Sequence, residues 1–415
     1  MTLAAPPYVL NVRRLVDEEH VVPHFQPLVS VKRHGLVGVE GLSRGWAPET
    51  RTLISAHELF TAAHAQGMSR ELELLCRRKL LQEFRGLLAR HPHLVLSLNM
   101  DPSSIDRRLW SGYLRTQVAE AGLAPRDVIL EIVESAVTDE VELSHWVQSY
   151  RKAGYLIAVD DVGAGHSNLN RISRIQPDII KVDRYLVSGV DSDRYKQAVV
   201  RSLVDMSRHA GAMVIVEGVE TESEALTLLD MGADVMQGFL FARPRTVDEL
   251  EDLSLPRQLA ALGARSRDRR VECLRRERLN LKSIFLVADE VRNAFARLRP
   301  EGFEAVLSRV TKPLHAIECA YVLDDVGVQW TSMVVGEVPL EMARPSTLFR
   351  PLPPGSDHGA NDYFYRLMDP DLAGTTYVTA PHISLVTGNP CVTISALVHD
   401  SEQREYVLCM DVNAP

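Results

Sequence analysis

The stretch YLIAVDDVGAGHSNL, residues 155–169, runs from an apolar segment into two adjacent aspartates and then through two glycines. Neighbouring residues of a strand point to opposite faces, so Asp160 and Asp161 can reach one site only where the strand ends. Gly163 and Gly165 supply backbone freedom just beyond that end. Two like charges side by side at the end of a buried strand indicate a cation between or beside them.

Seven further strand-like runs accompany this segment, and helix-length amphipathic stretches separate them. The runs are continuously apolar, as expected for strands that helices cover on one face and a packed interior covers on the other. Eight such strands favour a (β/α)8 barrel, and a doubly wound open sheet is the structural rival. In chain order the eight runs are FQPLVSV, LVGVEGL, LVLSLNM, VILEIVES, LIAVDD, DIIKVD, MVIVEGVE and DVMQGFLF.

Every strand candidate from the second to the eighth carries a polar residue near its C-terminal end. In a parallel barrel those ends meet at one face, which is where active sites lie. Five carboxylates and one lysine could not keep their charges there without further cations. Oxygen ligands without a local His or Cys favour Mg²⁺ or Mn²⁺, and the adjacent aspartates favour a two-metal arrangement. The residues are Glu40, Asn99, Glu131, Asp160, Asp161, Lys181, Glu217 and Gln237.

The composition of the chain is ordinary for a globular protein. Its 415 residues are 46% hydrophobic and 24% charged, which is enough chain for two or three domains. The net charge of −9 argues against a nucleic-acid binder, although small anionic ligands remain compatible with it. We expect no membrane segment, because no apolar run is long enough and the N-terminal stretch makes a poor signal peptide. Five scattered cysteines favour reduced thiols and a cytoplasmic location.

This pattern resembles the EAL-domain cyclic di-GMP phosphodiesterases over about residues 20–250. The family motifs stand here, in the family order, as VEGLSR, LSLNM, EIVES, DDVGAGHSNL, DIIKVDR, VEGVET and QGFLFARP. Gly41 stands where the family usually has alanine, and Val133 stands where threonine is frequent. The resemblance implies an α/β fold, a modified (β/α)8 TIM-like barrel whose first strand runs antiparallel to its neighbours.

The resemblance also implies a set of ligands for two divalent cations, Mg²⁺ or Mn²⁺. Asp160 would bridge the two ions. The first ion would be held by Glu40, Asn99, Glu131 and Asp160, and the second by Asp160, Asp161 and Glu217.

Other residues receive catalytic or binding roles from the same resemblance. Lys181 would position or polarise the attacking water, next to the catalytic carboxylate of Glu217. Gln237 would hold the water network or the substrate, and Arg44 would meet a substrate phosphate with its planar fork. Glu134 would brace the loop that follows the double aspartate.

The implied activity is hydrolysis of cyclic di-GMP to the linear dinucleotide pGpG by in-line attack of water. The alternative is a catalytically silent cyclic di-GMP receptor that acts through protein partners. The family commonly pairs through surfaces near the aspartate loop, so the resemblance also implies a homodimer.

The remaining sequence predicts two further parts. We expect the barrel over residues 1–250, a connecting helical segment over 251–302 and a sensory domain over 303–415. The connecting segment is arginine-rich, and its charged face is either simply solvated or a coupling or dimer contact. The run TTYVTAPHISLVTGNPCVTISALVHD resembles a Cache-type, PAS-like domain, which implies a small α+β fold with an antiparallel sheet. Tyr377, His382 and Asp411 are candidates for a small-molecule pocket there, with structural or surface roles as the alternative.

Overall fold

The computed structural model describes residues 10–100, 110–133, 140–164, 169–251, 255–314, 316–336, 349–368 and 375–413. The chain divides into two compact units, Met1–Arg270 and Val271–Pro415. The division falls inside the segment that the sequence assigns to the connection. None of the helices in these described ranges pairs enough length with enough apolar sequence to serve as a membrane span.

The N-terminal unit is built on a closed ring of eight strands. β1 (Val21–Ser30) runs antiparallel to both of its neighbours, β2 (Gly35–Ala47) and β9 (Val235–Met236), and this pairing closes the ring. The other neighbouring strands of the ring are parallel. The ring confirms the modified barrel with an antiparallel first strand and excludes the open sheet. The remaining strands are β3 (Thr52–Ile54), which pairs with β2 outside the ring, β4 (Val95–Met100), β5 (Val128–Val133), β6 (Leu156–Val162), β7 (Ile179–Val182) and β8 (Met213–Val216).

Helices alternate with the strands, and local sequence sets their ends. α8 (Arg194–Ala210) begins after Asp193, whose carboxylate accepts backbone N–H groups of the first turn. It ends at Gly211, which adopts the left-handed conformation that closes many helices. The other helices of this unit are α1 (Val12–Asp17), α2 (Ala56–Ala65), α3 (Ser69–Arg90), α4 (Trp110–Glu120), α5 (Glu140–Lys152), α6 (Leu169–Ile175), α7 (Arg184–Val187), α9 (Glu222–Asp230) and α10 (Val247–Glu251).

The barrel interior is layered, and the layers place the polar residues. The lower layer is apolar and consists of Leu28, Ile129, Ala158, Ile179, Ile215 and Val235. Inward-facing residues of a strand are two positions apart, so the next inward residue on each parallel strand stands one layer nearer the mouth. On β5, β6 and β7 those next residues are Glu131, Asp160 and Lys181, and directly after β8 and β9 they are Glu217 and Gln237.

The C-terminal unit contains a six-stranded sheet in which every pairing is antiparallel. The order is β11-β10-β15-β14-β12, and β13 also pairs with β14. The arginine-rich segment forms one long helix, α11, as the sequence predicts. This helix, α11 (Leu255–Phe295), begins in the N-terminal unit and continues beyond Arg270. The other elements of the C-terminal unit are α12 (Phe303–Thr311), β10 (Ile317–Leu323), β11 (Val334–Val335), α13 (Asp362–Met368), β12 (Thr376–Val378), β13 (His382–Ile383), β14 (Pro390–His399) and β15 (Glu405–Asn413).

The two faces of this sheet differ in chemistry. One face is apolar and packs against α12 and the C-terminal part of α11, with Phe295 stacked on Phe303 at 3.8 Å between ring centroids. The other face packs against Phe364 and Leu367 of α13 and carries cysteine, tyrosine, threonine and aspartate side chains. Alternation along each strand therefore separates an apolar core from a polar buried layer.

Candidate active site

The site lies at the mouth of the barrel, where the parallel strands end. Strand register brings its members together: Asn99 is the partner of Glu131 across β4 and β5, and Glu40 is the partner of Gln26 across β2 and β1. Val133 pairs with Asp160 across β5 and β6. We call the polar residues around the mouth the barrel site: Glu40, Asn99, Glu131, Asp160, Asp161, Lys181, Glu217 and Gln237.

Lys181 occupies the centre of the barrel site. Its side chain is 1% exposed, and its Nζ atom lies 2.6 Å from Oε1 of Glu131 and 2.5 Å from Oε1 of Glu217. A third carboxylate oxygen, Oδ1 of Asp160, lies 3.2 Å away. One ammonium group therefore faces three carboxylates in a volume that water hardly reaches.

The pKa values of these groups record the shortage of positive charge. Burial alone would lower the pKa of Lys181, but the surrounding carboxylates outweigh it and hold that pKa well above its usual value. Burial raises the pKa of Glu217 to about 8, and the charge of Asp160 adds to this while Lys181 opposes it. Burial likewise raises the pKa of Glu131 well above its ordinary range despite the attraction of Lys181. The lysine stays charged, and the carboxylates need more positive charge than it supplies.

Two amide side chains orient Glu40, which lies across the mouth from Lys181 and its carboxylate partners. Nδ2 of Asn99 donates to Oε1 of Glu40 at 2.7 Å, and Nε2 of Gln237 donates to Oε2 at 2.6 Å. The same Nε2 donates to Oε1 of Gln26 at 2.9 Å. Gln26 is fixed in turn, because its Nε2 donates to the backbone carbonyl of Ala242 at 3.2 Å. Glu40 is therefore oriented by two amides, one of which is itself clamped.

The end of β6 turns so that both aspartates serve one site. Asp161 has a φ of 57°, and Gly163, two residues later, has a φ of 107°. A Cβ atom at Gly163 would lie 2.2 Å from the side chain of Leu186, so glycine is required by space as well as by conformation. Carboxylate oxygens of Asp160, Asp161 and Glu217 lie within 4.8 Å of one another. The turn at the strand end thus brings the carboxylates of the two adjacent aspartates close to that of Glu217.

The donor set fits hard divalent cations. Oε2 of the buried Glu131 and Oε1 of the buried Gln237 have no hydrogen-bond donor among the described residues. Such buried acceptors are costly unless a cation or donor meets them. All side-chain ligand atoms at the mouth are carboxylate or amide oxygens, which is the set that Mg²⁺ and Mn²⁺ prefer.

Two predicted residues receive less support from the geometry. Arg44 lies on β2, four residues beyond Glu40 and hence on the same face of the strand, and its Nη1 donates to the backbone carbonyl of Ser43 at 3.0 Å. Its role toward a phosphate stays a prediction. Glu134 and residues 165–168 of the aspartate loop lie outside the described residues.

Sequence reasoning missed two members of the site. Gln26 clamps Gln237, and Oγ of the fully buried Ser97 donates to Oε1 of Glu131 at 2.5 Å. Both residues could have been found by marking every second residue of each strand as inward-facing. Ser97 is two residues before Asn99 on the same face of β4. Gln26 is two residues before Leu28 on the same face of β1. It lies nearer the mouth than Leu28 because β1 runs in the opposite direction to the parallel strands.

The unusual glycine of the VEGLSR motif has a packing explanation. A Cβ atom at Gly41 would lie 3.1 Å from Cδ2 of Leu80 and 3.2 Å from Cδ1 of Leu96. An alanine methyl group would therefore require these leucine side chains to move by a few tenths of an ångström.

The candidates in the C-terminal unit do not form a single site. Tyr377 lies on β12 with the guanidinium carbon of Arg366 5.2 Å from its ring centroid. His382 and Asp411 lie close together beside Cys391. A separate cavity of about 600 Å³ has a largely apolar lining from α11 and the apolar face of the sheet, and none of the three candidates lines it.

Comparison with known structures supports the fold. The crystal structure of the Bacillus subtilis YkuI protein, with an EAL domain, in complex with substrate c-di-GMP and calcium, covers 98% of this chain and 99% of its own. The TM-score is 0.78 at 20% identity, a likeness that establishes the fold alone. The Klebsiella pneumoniae BlrP1 calcium/cy-diGMP complex is 31% identical, with a TM-score of 0.51 and a coverage of 58% of both chains. A manganese/cy-diGMP complex of the same protein is 32% identical, with a TM-score of 0.50 and a coverage of 59% of both chains.

Comparison of sequences identifies the family. The cyclic di-GMP phosphodiesterase RocR of Pseudomonas aeruginosa is 30% identical over 256 residues, which are 58% of this chain and 62% of RocR. The match spans between 28% and 62% of the length of the first eight curated relatives. The profile of the EAL domain matches residues 10–244, more than half of the chain, and the protein therefore belongs to the EAL domain family.

Proposed function

We propose that this protein is a metal-dependent phosphodiesterase that hydrolyses cyclic di-GMP to linear pGpG. The observation that carries the proposal is the convergence of three carboxylates, those of Glu131, Asp160 and Glu217, around the buried ammonium group of Lys181 at the mouth of an EAL barrel. RocR is named as a cyclic di-GMP phosphodiesterase, and the BlrP1 structures are complexes with cyclic di-GMP and calcium or manganese.

Two divalent cations, Mg²⁺ or Mn²⁺, would supply the missing positive charge. When bound, they would lower the pKa of the attacking water and stabilise charge on the attacking and leaving oxygens. The amides that orient Glu40 and the hydroxyl that meets Glu131 would keep these carboxylates pointed at the mouth. The ligands would be Glu40, Asn99, Glu131 and Asp160 for one ion, and Asp160, Asp161 and Glu217 for the other.

The remaining roles belong to this chain's own polar groups. Lys181 keeps its proton at Nζ and would donate to the attacking water or to a phosphate oxygen that gains charge. Gln237, fixed through its Nε2, leaves Oε1 to accept a hydrogen bond from water or substrate. The planar fork of Arg44 would hold a substrate phosphate.

A silent receptor is the less favoured alternative. A binding module would need groups that hold the nucleotide, but it would have no use for a charged lysine locked between three carboxylates. Replacing the whole cluster by apolar residues would avoid the cost of burying these charges, so its presence favours chemistry over binding alone.

The C-terminal unit would act as a sensory domain that modulates the barrel. The Cache-like sequence run and the antiparallel sheet support this role, and the cavity of about 600 Å³ has a volume typical of small-molecule sites. We also propose a homodimer, from the family resemblance, and sedimentation of the full chain would test it. The cytoplasmic location stays a prediction.

The proposed function is tested by incubating the purified full-length protein with cyclic di-GMP and Mg²⁺ or Mn²⁺ and separating the products by chromatography. We expect pGpG to accumulate and chelation to stop it. Lys181→Met should remove turnover, while Lys32→Met, an exposed lysine in the turn between β1 and β2, is the matched control and should leave it unchanged. Binding of cyclic di-GMP without product under both metals would favour the receptor.

A further inference from the structure

The polar face of the C-terminal sheet gathers residues that the proposed phosphodiesterase does not use. Cys319, Asp411 and Thr393 are direct cross-strand partners on β10, β15 and β14, so their side chains share one face. Cys391 lies two residues before Thr393 and therefore on the same face. His382 on β13 is the cross-strand partner of Cys391. Residues from four strands thus meet in one small region.

Three of these side chains place metal-binding atoms close together. One atom each of His382, Cys391 and Asp411 lies within 4.8 Å of the other two. Nε2 of His382 is 3.4 Å from Sγ of Cys391, and Oγ1 of Thr393 donates to Oδ1 of Asp411 at 2.7 Å. Ligands around a tetrahedral zinc ion stand about 3–4 Å apart, so small side-chain adjustments would suffice. We call this group the His–Cys–Asp cluster.

The surroundings of the cluster carry uncompensated negative charge. Glu318 on β10 is 1% exposed, and its Oε1 has no hydrogen-bond donor among the described residues, while its other oxygen accepts from Thr387. The second buried carboxylate of this region is that of Asp411. Within the described part of the chain, neither of these two carboxylates forms an ion pair with a lysine or an arginine. A cation would relieve this buried excess of acceptors.

We propose that His382, Cys391 and Asp411 bind a divalent transition-metal ion of the zinc type. Imidazole nitrogen, thiolate sulfur and carboxylate oxygen are the ligand types that zinc combines in proteins, whereas Mg²⁺ and Ca²⁺ prefer oxygen alone. Cys391 and Asp411 are buried, and His382 is exposed, which gives the ion a path from solvent. Three protein ligands leave one position open for water or a further ligand.

The test uses the full-length protein, freed of metal with a chelator and titrated with Co²⁺ and Zn²⁺. Cobalt bound to a thiolate gives a sulfur-to-metal charge-transfer band. The described barrel-site ligands are all oxygens, so metal bound there cannot produce that band. We expect one equivalent of Co²⁺ to give the band and one equivalent of Zn²⁺ to abolish it by displacement.

Matched variants assign the band to the cluster. Cys391→Ser should remove the band, whereas Cys273→Ser, which changes an exposed thiol on α11, should leave it intact. His382→Gln changes an exposed residue and spares the buried layer, and it should weaken Zn²⁺ binding at least about tenfold, the scale seen when a metal site loses a supporting partner. Circular dichroism confirms that each variant is folded.

Two results would overturn the proposal. One is the lack of any thiolate band in the Co²⁺-treated wild-type protein. The other is a Zn²⁺ affinity that stays the same in folded Cys391→Ser and His382→Gln. Neither result bears on cyclic di-GMP hydrolysis, because the turnover assay reads the barrel site.

Discussion

The Nζ atom of Lys181 lies 2.5 Å from Oε1 of Glu217, and the lysine side chain is 1% exposed. Two further carboxylates, Glu131 and Asp160, lie within 3.2 Å of the same nitrogen. A single ammonium group cannot neutralise three carboxylates, so the site stays short of positive charge without metal ions. Stability and metal binding should therefore be coupled at this lysine.

Lys181→Met should destabilise the metal-free protein strongly. Removing one partner of a buried charge cluster leaves the others uncompensated, at a cost of about 3–5 kcal/mol. Mn²⁺ should recover part of this loss, because it supplies the charge that the lysine provided. Thermal unfolding with and without Mn²⁺ measures both effects. An unfolding temperature of the variant that equals that of the wild type in chelator would contradict the central role of this lysine.

Gln26→Leu should weaken metal binding without unfolding the barrel. Gln26 clamps Gln237, which orients Glu40, and loss of such a supporting partner weakens metal affinity about 10–100-fold. Isothermal titration with Mn²⁺ reads the affinity directly. Gln258→Leu is the matched control, because its amide donates to the backbone of Leu240 at the protein surface. Equal Mn²⁺ affinity of both variants would show that the clamp has no effect.

Much of the barrel site follows from the sequence because one rule generates it. A buried parallel strand that ends in a polar residue delivers that residue to the mouth, and this rule predicts positions from Glu40 to Gln237. Gln26 escapes the rule because β1 is antiparallel, so its inward polar residue precedes Leu28 of the lower layer instead of following it. The sequence also does not predict which carboxylates contact Lys181, because the side-chain distances depend on the stagger of the strands in the closed ring.

The C-terminal unit is harder to predict for a related reason. His382, Cys391 and Asp411 are 9 and 20 residues apart in the sequence, and only the register of β13, β14 and β15 joins them. Turn lengths set that register, and part of the intervening chain is irregular. Sequence reasoning singled out His382 and Asp411 but missed Cys391, which carries no close-paired metal spacing.

Gly163→Ala should destabilise the turn that follows Asp161. The loss should exceed that of the same substitution at a left-handed glycine with open space around it. The backbone at φ 107° costs about 1–3 kcal/mol for a residue with a Cβ atom, and the new methyl group would overlap Leu186. Gly67→Ala is the matched control, because its φ is 67° and no heavy atom lies within 4 Å of its added Cβ. Chemical denaturation of both variants measures the difference.

A second change isolates the steric part of that effect. Leu186→Ala removes the atoms that the methyl group would meet, so the double variant Gly163→Ala with Leu186→Ala should lose less stability than the two single losses together. Strict additivity, or equal losses for Gly67→Ala and Gly163→Ala, would exclude the proposed overlap.

His358 should make the stability of the C-terminal unit fall in acid. Burial lowers the pKa of this histidine, whose Nδ1 lies 2.8 Å from Oη of Tyr363 and whose Nε2 lies 3.0 Å from Oε1 of Gln329. The unfolded chain takes up a proton near pH 6.5, whereas the folded chain resists it, so unfolding is favoured as pH falls below about 6.5. Above that pH both states are neutral and the effect vanishes.

Hydrogen exchange of the β10 amides at pH about 7.5 and about 5.5 tests this, after correction for the intrinsic exchange rate. His358→Gln should reduce the pH dependence of protection. His399→Gln, a histidine at the surface of the same sheet, is the control. If His358→Gln keeps the full loss of protection in acid, another group is responsible.

The most direct measurement is hydrolysis of cyclic di-GMP in water enriched in heavy oxygen. Purified protein, Mn²⁺ and cyclic di-GMP should yield pGpG that carries one heavy oxygen on its terminal phosphate, as mass spectrometry of the product would record. The Lys181→Met protein should yield none at equal concentration. Cyclic di-GMP that remains bound and intact with wild-type protein, in Mn²⁺ and in Mg²⁺, would contradict phosphodiesterase activity.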